Sequence, residues 1–432
     1  MTSFLKNDNI YCVLKKNKCI QNKNKSGKGA FYMKKIGLLP RLILGIILGI
    51  VIGFISKVTG IYSISRIFIT FTDIFANFLK FIIPCIIVGF VAPSIAELGK
   101  KSGKLLAITA IIAYISTIIS GIVAYLVGAS ILPKVIKMGN IASKSQMKID
   151  PYFTIKIDPL MGVMTALVLA FMLGIGMSHI KGKNLLGVMR DFQGIVSLTV
   201  KKIIIPFVPV YITGIFIKLT VLGEIFKTLK TFSSVYVIVL LLQVVYVIIQ
   251  YGLAFVLSGK NPLKCIKNMI PSYFTALGTQ SSAAAIPVNL QCVKKNGVSE
   301  EISDFVVPLC ATIHLAGDTI TLVLASMGVM LINGQSPTLG VMIPFILMLG
   351  ITMVAAPGIP GGGVMAALGL LQDMLLFSSS QQGLMIALHA AQDSFGTATN
   401  VIGDGAIAII VDYISKKQNK ESIIIESQIK EA

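Results

Sequence analysis

Five polar residues lie at helical spacing in the last hydrophobic segment of the chain. They are His389, Asp393, Thr397, Asn400 and Asp404, and the steps between them are four, four, three and four residues. An α-helix turns by about 100° per residue, so all five side chains fall within a sector of roughly 80°. Carboxylates at membrane depth are costly unless they face protein, water or a cation. The pattern therefore predicts one wall of a site for a charged solute and its coupling ion.

The composition indicates an integral membrane protein. The 432 residues are 55% hydrophobic and 13% charged, with a mean hydropathy of +0.84, whereas a soluble domain carries about 25% charged residues. A net charge of +20 would suggest nucleic acid in a soluble protein, but here the lysines cluster between apolar segments, which indicates topology. Neither an HExxH nor a GxSxG motif occurs, so a hydrolase is not favoured. We expect no enzyme activity, no organic cofactor and no nucleic-acid partner.

Eight segments are apolar enough to be membrane spans. Pro206 and Pro209 predict a kink in the fifth of them. The spans run over about 38–55, 64–91, 105–132, 160–179, 195–222, 232–257, 304–332 and 381–414.

Lysine placement predicts the orientation. Residues 1–33 form a basic leader that we expect to be disordered, and residues 417–432 form a short tail. The leader, the tail and the basic loops near 100–104, 181–190 and 260–267 share one side if the spans alternate. Positively charged loops stay in the cytoplasm, so both termini are expected there.

Two further segments are apolar but too interrupted to cross the bilayer. Residues 271–295 carry small and hydroxyl residues around Ser281 and Ser282, and residues 339–377 carry APGIPGGG at 356–363. Backbone that is not helical is tolerated at membrane depth only where it lines a cavity. Each segment is therefore predicted to be a re-entrant hairpin.

The seventh span is predicted to be a broken helix. Its sequence CATIHLAGDT places His314, Gly317 and Asp318 in mid-span, where a glycine beside ionisable residues favours an interruption. Interrupted segments in two halves of a chain are the best sequence pointer to a transporter site. The half-helix ends would offer amide groups to an anion and carbonyl groups to a cation.

The order of these motifs resembles the dicarboxylate/amino acid:cation symporter family, which includes glutamate transporter homologues and bacterial serine/threonine symporters. The resemblance covers about residues 35–416. It is strongest over 271–404, where TQSSAAAIPV, PLCATI, GIPGGG and D-x3-T-x2-N-x3-D follow in the family's order. It implies an all-α integral membrane protein of eight transmembrane helices plus two re-entrant helical hairpins with inverted repeats. It also implies a homotrimer in the cell membrane.

The resemblance also implies a division of labour within a single transporter domain, residues 34–416. Spans 1, 2, 4 and 5 would form the scaffold. Spans 3 and 6, both hairpins and spans 7 and 8 would form a mobile transport domain. The first hairpin would be the inner gate and the second hairpin the outer gate.

Roles for individual residues follow from the same resemblance. Asp393 matches the position that binds the substrate ammonium, Asn400 matches the position that binds the α-carboxylate, and Thr397 lies between them. The other implied substrate positions are Gln280, Ser281, Ser282, Gly358, Ile359, Pro360, Gly361 and Gly396. The implied cation positions are Cys310, Thr312, His314, Asp318, Asn400 and Asp404, with Na⁺ expected at the last two.

Two departures from the family pattern bear on the substrate. Glutamate-selective members place an arginine three residues after the first aspartate, where this chain has Gly396, and other members carry an arginine where it has Gln280. No cation is left to bind a side-chain carboxylate. We therefore expect a small neutral amino acid, of the serine or threonine type. An acidic amino acid or dicarboxylate is the alternative within the family, and a passive ion channel is the alternative outside it.

The cation positions also depart from the pattern. The family's Asn-Met-Asp-Gly-Thr is replaced by residues 314–318, His-Leu-Ala-Gly-Asp, so Ala316 stands where an aspartate serves one sodium site. Histidine titrates near neutral pH, which makes His314 and His389 candidate proton carriers. The coupling ion is expected to be Na⁺, H⁺ or both. The alternative that both imidazoles only hydrogen-bond to their neighbours has equal weight.

Overall fold

The computed structural model describes residues 38–100, 104–136, 149–180, 184–354, 356 and 361–431, and the regular elements of that part are all helical. The predicted all-α class is confirmed, while the predicted disordered leader lies outside the described residues. The α-helices, in chain order, are α1 Leu38–Thr59, α2 Ser63–Lys100, α3 Lys104–Val135, α4 Val163–His179, α5 Asn184–Thr199, α6 Ile205–Val221, α7 Ile225–Ser258, α8 Pro262–Thr279, α9 Ser282–Lys295, α10 Glu300–Ile313, α11 Ala316–Ile332, α12 Leu339–Met353, α13 Gly362–Asp373 and α14 Ser379–Glu431.

Seven helical segments of the described chain are long and apolar enough to cross a membrane. The predicted fourth span is shorter, because α4 has only 17 residues. A helix of that length covers roughly 26 Å, just under the hydrocarbon thickness of about 30 Å. The eight predicted spans therefore correspond to seven long segments and one short apolar helix. The long segments are 38–59, 63–96, 105–135, 184–221, 225–258, 300–332 and 379–418.

The first hairpin is longer than the predicted 271–295. Its arms are α8 and α9, so it begins at Pro262, and Pro271 lies inside the first arm instead of at its start. Asn261 caps α8 by accepting a hydrogen bond from the backbone N–H of Lys264 at 3.1 Å. A capping asparagine followed by proline is a normal helix start, which the sequence reading overlooked.

The second hairpin has its arms within the predicted 339–377, as α12 and α13. Gly361 caps α13 in the left-handed conformation, with φ of 76°. A glycine suits that position because side chains disfavour positive φ. The predicted tip residues Gly358, Ile359 and Pro360 lie outside the described residues.

The fifth span is interrupted where a kink was predicted. A π-helical turn at Val200–Ile204 separates α5 from α6, directly before Pro206. Proline cannot donate a backbone hydrogen bond, and π turns often relieve such a mismatch. The basic loop predicted for 181–190 is wrong from Asn184 onward, because those residues already belong to α5.

The last helix packs along α11 and contacts both arms of the first hairpin. Small residues allow the closest approach. An ideal Cβ on Gly317 would lie 2.8 Å from Thr399 Cβ, so α11 and α14 touch through backbone and short side chains. This contact brings the polar stripe of α14 against the break in the seventh span.

Candidate functional site

The seventh span breaks at His314 and Leu315, between α10 and α11, as the sequence predicted. A break frees backbone groups that an intact helix would pair internally. The freed N–H of Gly317 donates to Asn400 Oδ1 at 2.7 Å, and the carbonyl of Ala316, at the start of α11, accepts a hydrogen bond from Ser120 Oγ at 3.1 Å. The predicted stripe therefore meets the predicted break.

One imidazole–carboxylate pair joins His314 to Asp404. His314 Nδ1 lies 2.9 Å from Asp404 Oδ1, and both side chains are buried. On its other side, His314 Nε2 lies 3.1 Å from Ser116 Oγ and 3.3 Å from Gln250 Nε2. A carboxylate only accepts hydrogen bonds, so Nδ1 is the protonated nitrogen. Asp404 Oδ2 is buried and has no hydrogen-bond partner among the described residues.

A second pair joins His389 to Asp318, again between buried side chains. His389 Nε2 lies 3.0 Å from Asp318 Oδ1, and Asp318 Oδ2 accepts from Asn400 Nδ2 at 2.7 Å. Both oxygens of this carboxylate are thus occupied. The atom without a hydrogen-bond partner in the described chain is His389 Nδ1.

Asp393 connects the stripe to the second hairpin. Its Oδ2 accepts a hydrogen bond from the backbone N–H of Gly361 at 2.9 Å. One ligand atom each from Asp318, His389 and Asp393 lie within 4.8 Å of one another, and all three residues are buried. The N-terminus of α13 therefore contacts a cluster formed by the carboxylates of Asp318 and Asp393 and the imidazole of His389.

The first hairpin contacts α14 through Gln280. Its backbone is left-handed, with φ of 52°, and its Nε2 donates to Ser394 Oγ at 2.8 Å. Ser281 caps α9 by accepting from Ala284 N at 3.3 Å, and Ser282 is the first residue of that helix. The tips of both hairpins therefore contact α14. Gln280 of the first hairpin bonds to Ser394, and Gly361 of the second hairpin bonds to Asp393.

Two residues implied as cation ligands lie differently from the rest. Cys310 is fully buried in α10. Thr312 is exposed, and its hydroxyl donates to the carbonyl of Leu309 in its own helix at 2.7 Å. The described geometry thus pairs His314 with Asp404 and Asp318 with Asn400, and directs the Thr312 hydroxyl to its own backbone.

Gly396 has a steric reason to be glycine. An ideal Cβ at this position would lie 3.0 Å from Asp318 Oδ1, so the carboxylate of α11 fills the space a side chain would need. The charge balance is also unusual, since the sequence contains no Lys or Arg between Lys295 and Lys416. In that stretch, His314 and His389 pair with the buried carboxylates of Asp404 and Asp318.

The sequence reading missed the residues that surround His314 from α3 and α7. Gln250 Nε2 donates to Ser116 Oγ at 3.0 Å, and Tyr246 OH lies 3.2 Å from the same Ser116 oxygen. One turn into α11, Gln243 Nε2 donates to the carbonyl of Gly317 at 3.3 Å. The sequence does contain a pattern that points to these residues. Gln243 and Gln250 are seven residues apart, on one face of an apolar span that has no charged residue.

The chain is similar in sequence to a known family and to several of its members. The sequence profile of the sodium:dicarboxylate symporter family matches residues 38–414. Excitatory amino acid transporter 1 of Mus musculus is 30% identical over 227 residues, which cover 51% of this chain and 41% of the mouse protein.

Two further relatives extend the comparison. An excitatory amino acid transporter of Caenorhabditis elegans is 27% identical over 293 residues, covering 66% of this chain and 58% of the relative. Human excitatory amino acid transporter 2 is 27% identical over 259 residues, covering 58% and 45%. The matched stretch of this chain spans less than two thirds of the length of each relative.

Proposed function

Because this chain belongs to the sodium:dicarboxylate symporter family, we propose that it is a cation-coupled symporter that moves a small neutral amino acid across the cell membrane by alternating access. The observation that carries the proposal is that three carboxylates, those of Asp318, Asp393 and Asp404, are buried beside a broken helix and two hairpins. Buried carboxylates in a membrane protein are stable only with partners. The cargo and its coupling cation are the partners proposed here.

Asp393 is the proposed partner of the substrate ammonium. It is buried, it accepts one hydrogen bond from Gly361, and it therefore faces the start of α13, the second arm of the second hairpin. The α-carboxylate is proposed to bind Asn400. In this structure both ends of that amide are engaged, by Gly317 and by Asp318. Substrate binding at Asn400 would therefore require the carboxylate of the substrate to replace Asp318 as the acceptor.

Asp404 is the proposed partner of the coupling cation. Its Oδ2 is buried without a hydrogen-bond partner in the described chain, whereas Oδ1 is held by His314. Hard cations prefer oxygen ligands, so the free carboxylate oxygen suits Na⁺ better than an imidazole nitrogen does. Uptake driven by a sodium gradient alone or by a proton gradient alone identifies the coupling ion.

The choice of a neutral substrate depends on missing positive charge. Family members that transport acidic substrates carry an arginine at the position of Gly396 or at that of Gln280. In this chain the carboxylate of Asp318 lies beside Gly396 instead. A substrate carboxylate in this place would lie beside another carboxylate and would meet no arginine or lysine. Glutamate, aspartate and dicarboxylates are therefore proposed to be excluded.

The organisation around this site is part of the proposal. We infer a scaffold of α1, α2 and α4–α6, a mobile transport domain of α3 and α7–α14, and a homotrimer with both termini in the cytoplasm. The basic residues between the spans support the orientation. Cysteine accessibility from either side of the membrane would test the orientation, and cross-linking in native membranes would test the trimer.

Two measurements test the function. Purified protein is screened by thermal shift against the twenty amino acids with and without Na⁺, because a ligand that binds the folded state raises its melting temperature. Uptake of each hit into proteoliposomes is then driven by a sodium gradient alone and by a pH gradient alone. Saturable, gradient-driven uptake of serine or threonine is the expected result. Uptake of aspartate at micromolar concentration would contradict the proposed substrate class.

A further inference from the structure

The amide of Asn400 is already occupied by groups of the protein. Its Oδ1 accepts a hydrogen bond from the backbone N–H of Gly317 at 2.7 Å, and its Nδ2 donates to Asp318 Oδ2, also at 2.7 Å. Asn400 and Asp318 are only 2% and 5% exposed, so this contact is shielded from solvent. An internal carboxylate therefore occupies the donor that is proposed to bind the α-carboxylate of an amino acid.

The cluster around Asp318 contains more negative than positive side-chain charge. Asp318, Asp393 and His389 each place one ligand atom within 4.8 Å of the other two, and all three residues are buried. A protonated His389 offsets only one of the two carboxylates, and a neutral His389 offsets neither. Buried like charges are stabilised by a counter-charge placed beside them. A zwitterion adds no net charge to this cluster, whereas a ligand of charge +1 offsets a carboxylate.

A single ammonium group can contact both carboxylates. A charge-assisted N–H···O hydrogen bond is about 2.8 Å long, so one nitrogen can bridge two oxygen atoms up to roughly 5.6 Å apart. The ligand oxygens of Asp318 and Asp393 lie within 4.8 Å of each other. Each carboxylate oxygen can accept more than one hydrogen bond, so Asp318 can keep its bonds to Asn400 and His389. The cluster thus suits an ammonium without rearrangement of the Asn400 amide.

The start of α13 limits the size of the ligand. The backbone N–H of Gly361 donates to Asp393, and an ideal Cβ on Gly363 would lie 3.1 Å from His389 Nε2 and 3.3 Å from Asp318 Cγ. The backbone of the second hairpin therefore packs directly against the cluster, with no side chain between them. Bulky substituents on the nitrogen would push α13 away, so a primary ammonium on a short chain is favoured.

We propose that the cluster of Asp318, Asp393 and His389 binds small primary alkylammonium ions that lack a carboxylate. The ammonium lies between the carboxylates of Asp318 and Asp393, and Asp318 stays bonded to Asn400. An amino acid, in contrast, has to displace Asp318 from Asn400 before its own carboxylate can bind there. The proposal rests on the proposed function in one respect: the amine reaches the cluster by the route of the amino acid, and therefore competes with it.

Ethanolamine is the probe, because it is serine without the carboxylate. Choline is the matched control ligand, since it has the same hydroxyl and the same charge but no N–H to donate. Melting temperatures of the purified full chain are measured against ligand concentration in sodium phosphate buffer that contains no other amine, which gives a Kd for each ligand. Ethanolamine should raise the melting temperature, and choline should not. Equal stabilisation by choline would overturn the proposal, because charge alone would then explain binding.

Asp318→Asn separates the two kinds of ligand. The asparagine can still accept from Asn400 but offers no charge to the ammonium, so the Kd of ethanolamine should rise roughly 100-fold and that of serine at most about tenfold. Asp304→Asn is the control variant and should leave both values unchanged, because Asp304 belongs to the same broken span but has a side chain that is 52% exposed and paired with Lys294. An equal loss for both ligands in Asp318→Asn would overturn the proposal. The choline comparison uses the unmodified protein and does not depend on the folding of any variant.

Uptake separates this proposal from the proposed function. Ethanolamine should raise the serine concentration at half-maximal uptake into proteoliposomes and leave the maximal rate unchanged. Serine uptake that ethanolamine does not inhibit would overturn the amine site and leave the proposed function intact. Ethanolamine binding with the expected dependence on Asp318, but without uptake of any amino acid, would leave the amine site intact and refute the proposed function.

Discussion

The two imidazole–carboxylate pairs are built from the same two elements with their roles exchanged. The broken span supplies the imidazole of His314 and the carboxylate of Asp318, while α14 supplies the carboxylate of Asp404 and the imidazole of His389. Both pairs are buried and have similar N–O distances, 2.9 and 3.0 Å. They differ in which atom is left without a partner.

In the first pair the free atom is on the carboxylate, and in the second it is on the imidazole. Asp404 keeps one oxygen unbonded among the described residues, while Ser116 and Gln250 contact the far side of His314. Asp318 keeps none, because Asn400 takes its second oxygen. The difference is consistent with the proposal that Asp404 binds the coupling cation, whereas Asp318 orders the Asn400 amide and pairs with His389.

Of the substitutions in the two pairs, Asp404→Asn is expected to have the largest effect. The substitution removes the charge that the coupling cation needs, and losing a partner of a buried charge costs about 3 kcal/mol, or roughly 100-fold in affinity. Uptake in proteoliposomes should fall by that order. Asp191→Asn, on the exposed face of α5, is the control and should transport normally.

Asp318→Asn should have a smaller effect. The asparagine can still accept from His389 or Asn400, so the loss is that of a charged hydrogen bond, about 1.5 kcal/mol or roughly tenfold in uptake. The cation concentration at half-maximal uptake should change less than it does for Asp404→Asn. Equal losses in both variants would mean that the two pairs are equivalent and that the free oxygen has no special role.

Gly396→Ala should have the smallest effect. It should lower the free energy of unfolding through the His389–Asp318 pair alone. The added methyl group would lie 3.0 Å from Asp318 Oδ1, and overpacking of this kind costs about 1 kcal/mol of unfolding free energy. Detergent unfolding measures the loss. Gly187→Ala is the matched control, because a Cβ there meets open space. Unchanged stability in both variants would show that Asp318 can move away freely.

Much of the fold was readable from the sequence because the bilayer imposes simple rules. Long apolar runs gave the spans, and the spacing of His389 to Asp404 placed their side chains on one helix face. Segment ends were less certain: the first hairpin begins at Pro262 because Asn261 and Pro262 start a helix, a local signal hidden behind the more visible Pro271. The basic loop near Arg190 was misread because a polar helix and a polar loop have similar composition.

The pairing inside the site could not be predicted in the same way. Spacing put His314 and Asp318 near each other along the chain, yet each pairs across to α14 because the break turns their side chains toward that helix. The residues that hold His314 come from α3 and α7, more than sixty positions away in sequence, and only tertiary packing unites them. No local pattern encodes such distant contacts.

The most direct test is uptake of radiolabelled serine into proteoliposomes under an inward sodium gradient, with the unmodified protein and Asp393→Asn compared at equal reconstitution. Saturable uptake by the unmodified protein, reduced to background in Asp393→Asn, is the predicted result. Serine uptake that is unaffected by Asp393→Asn, or a continuous single-channel current in place of saturable uptake, would contradict a carrier organised around buried negative charge.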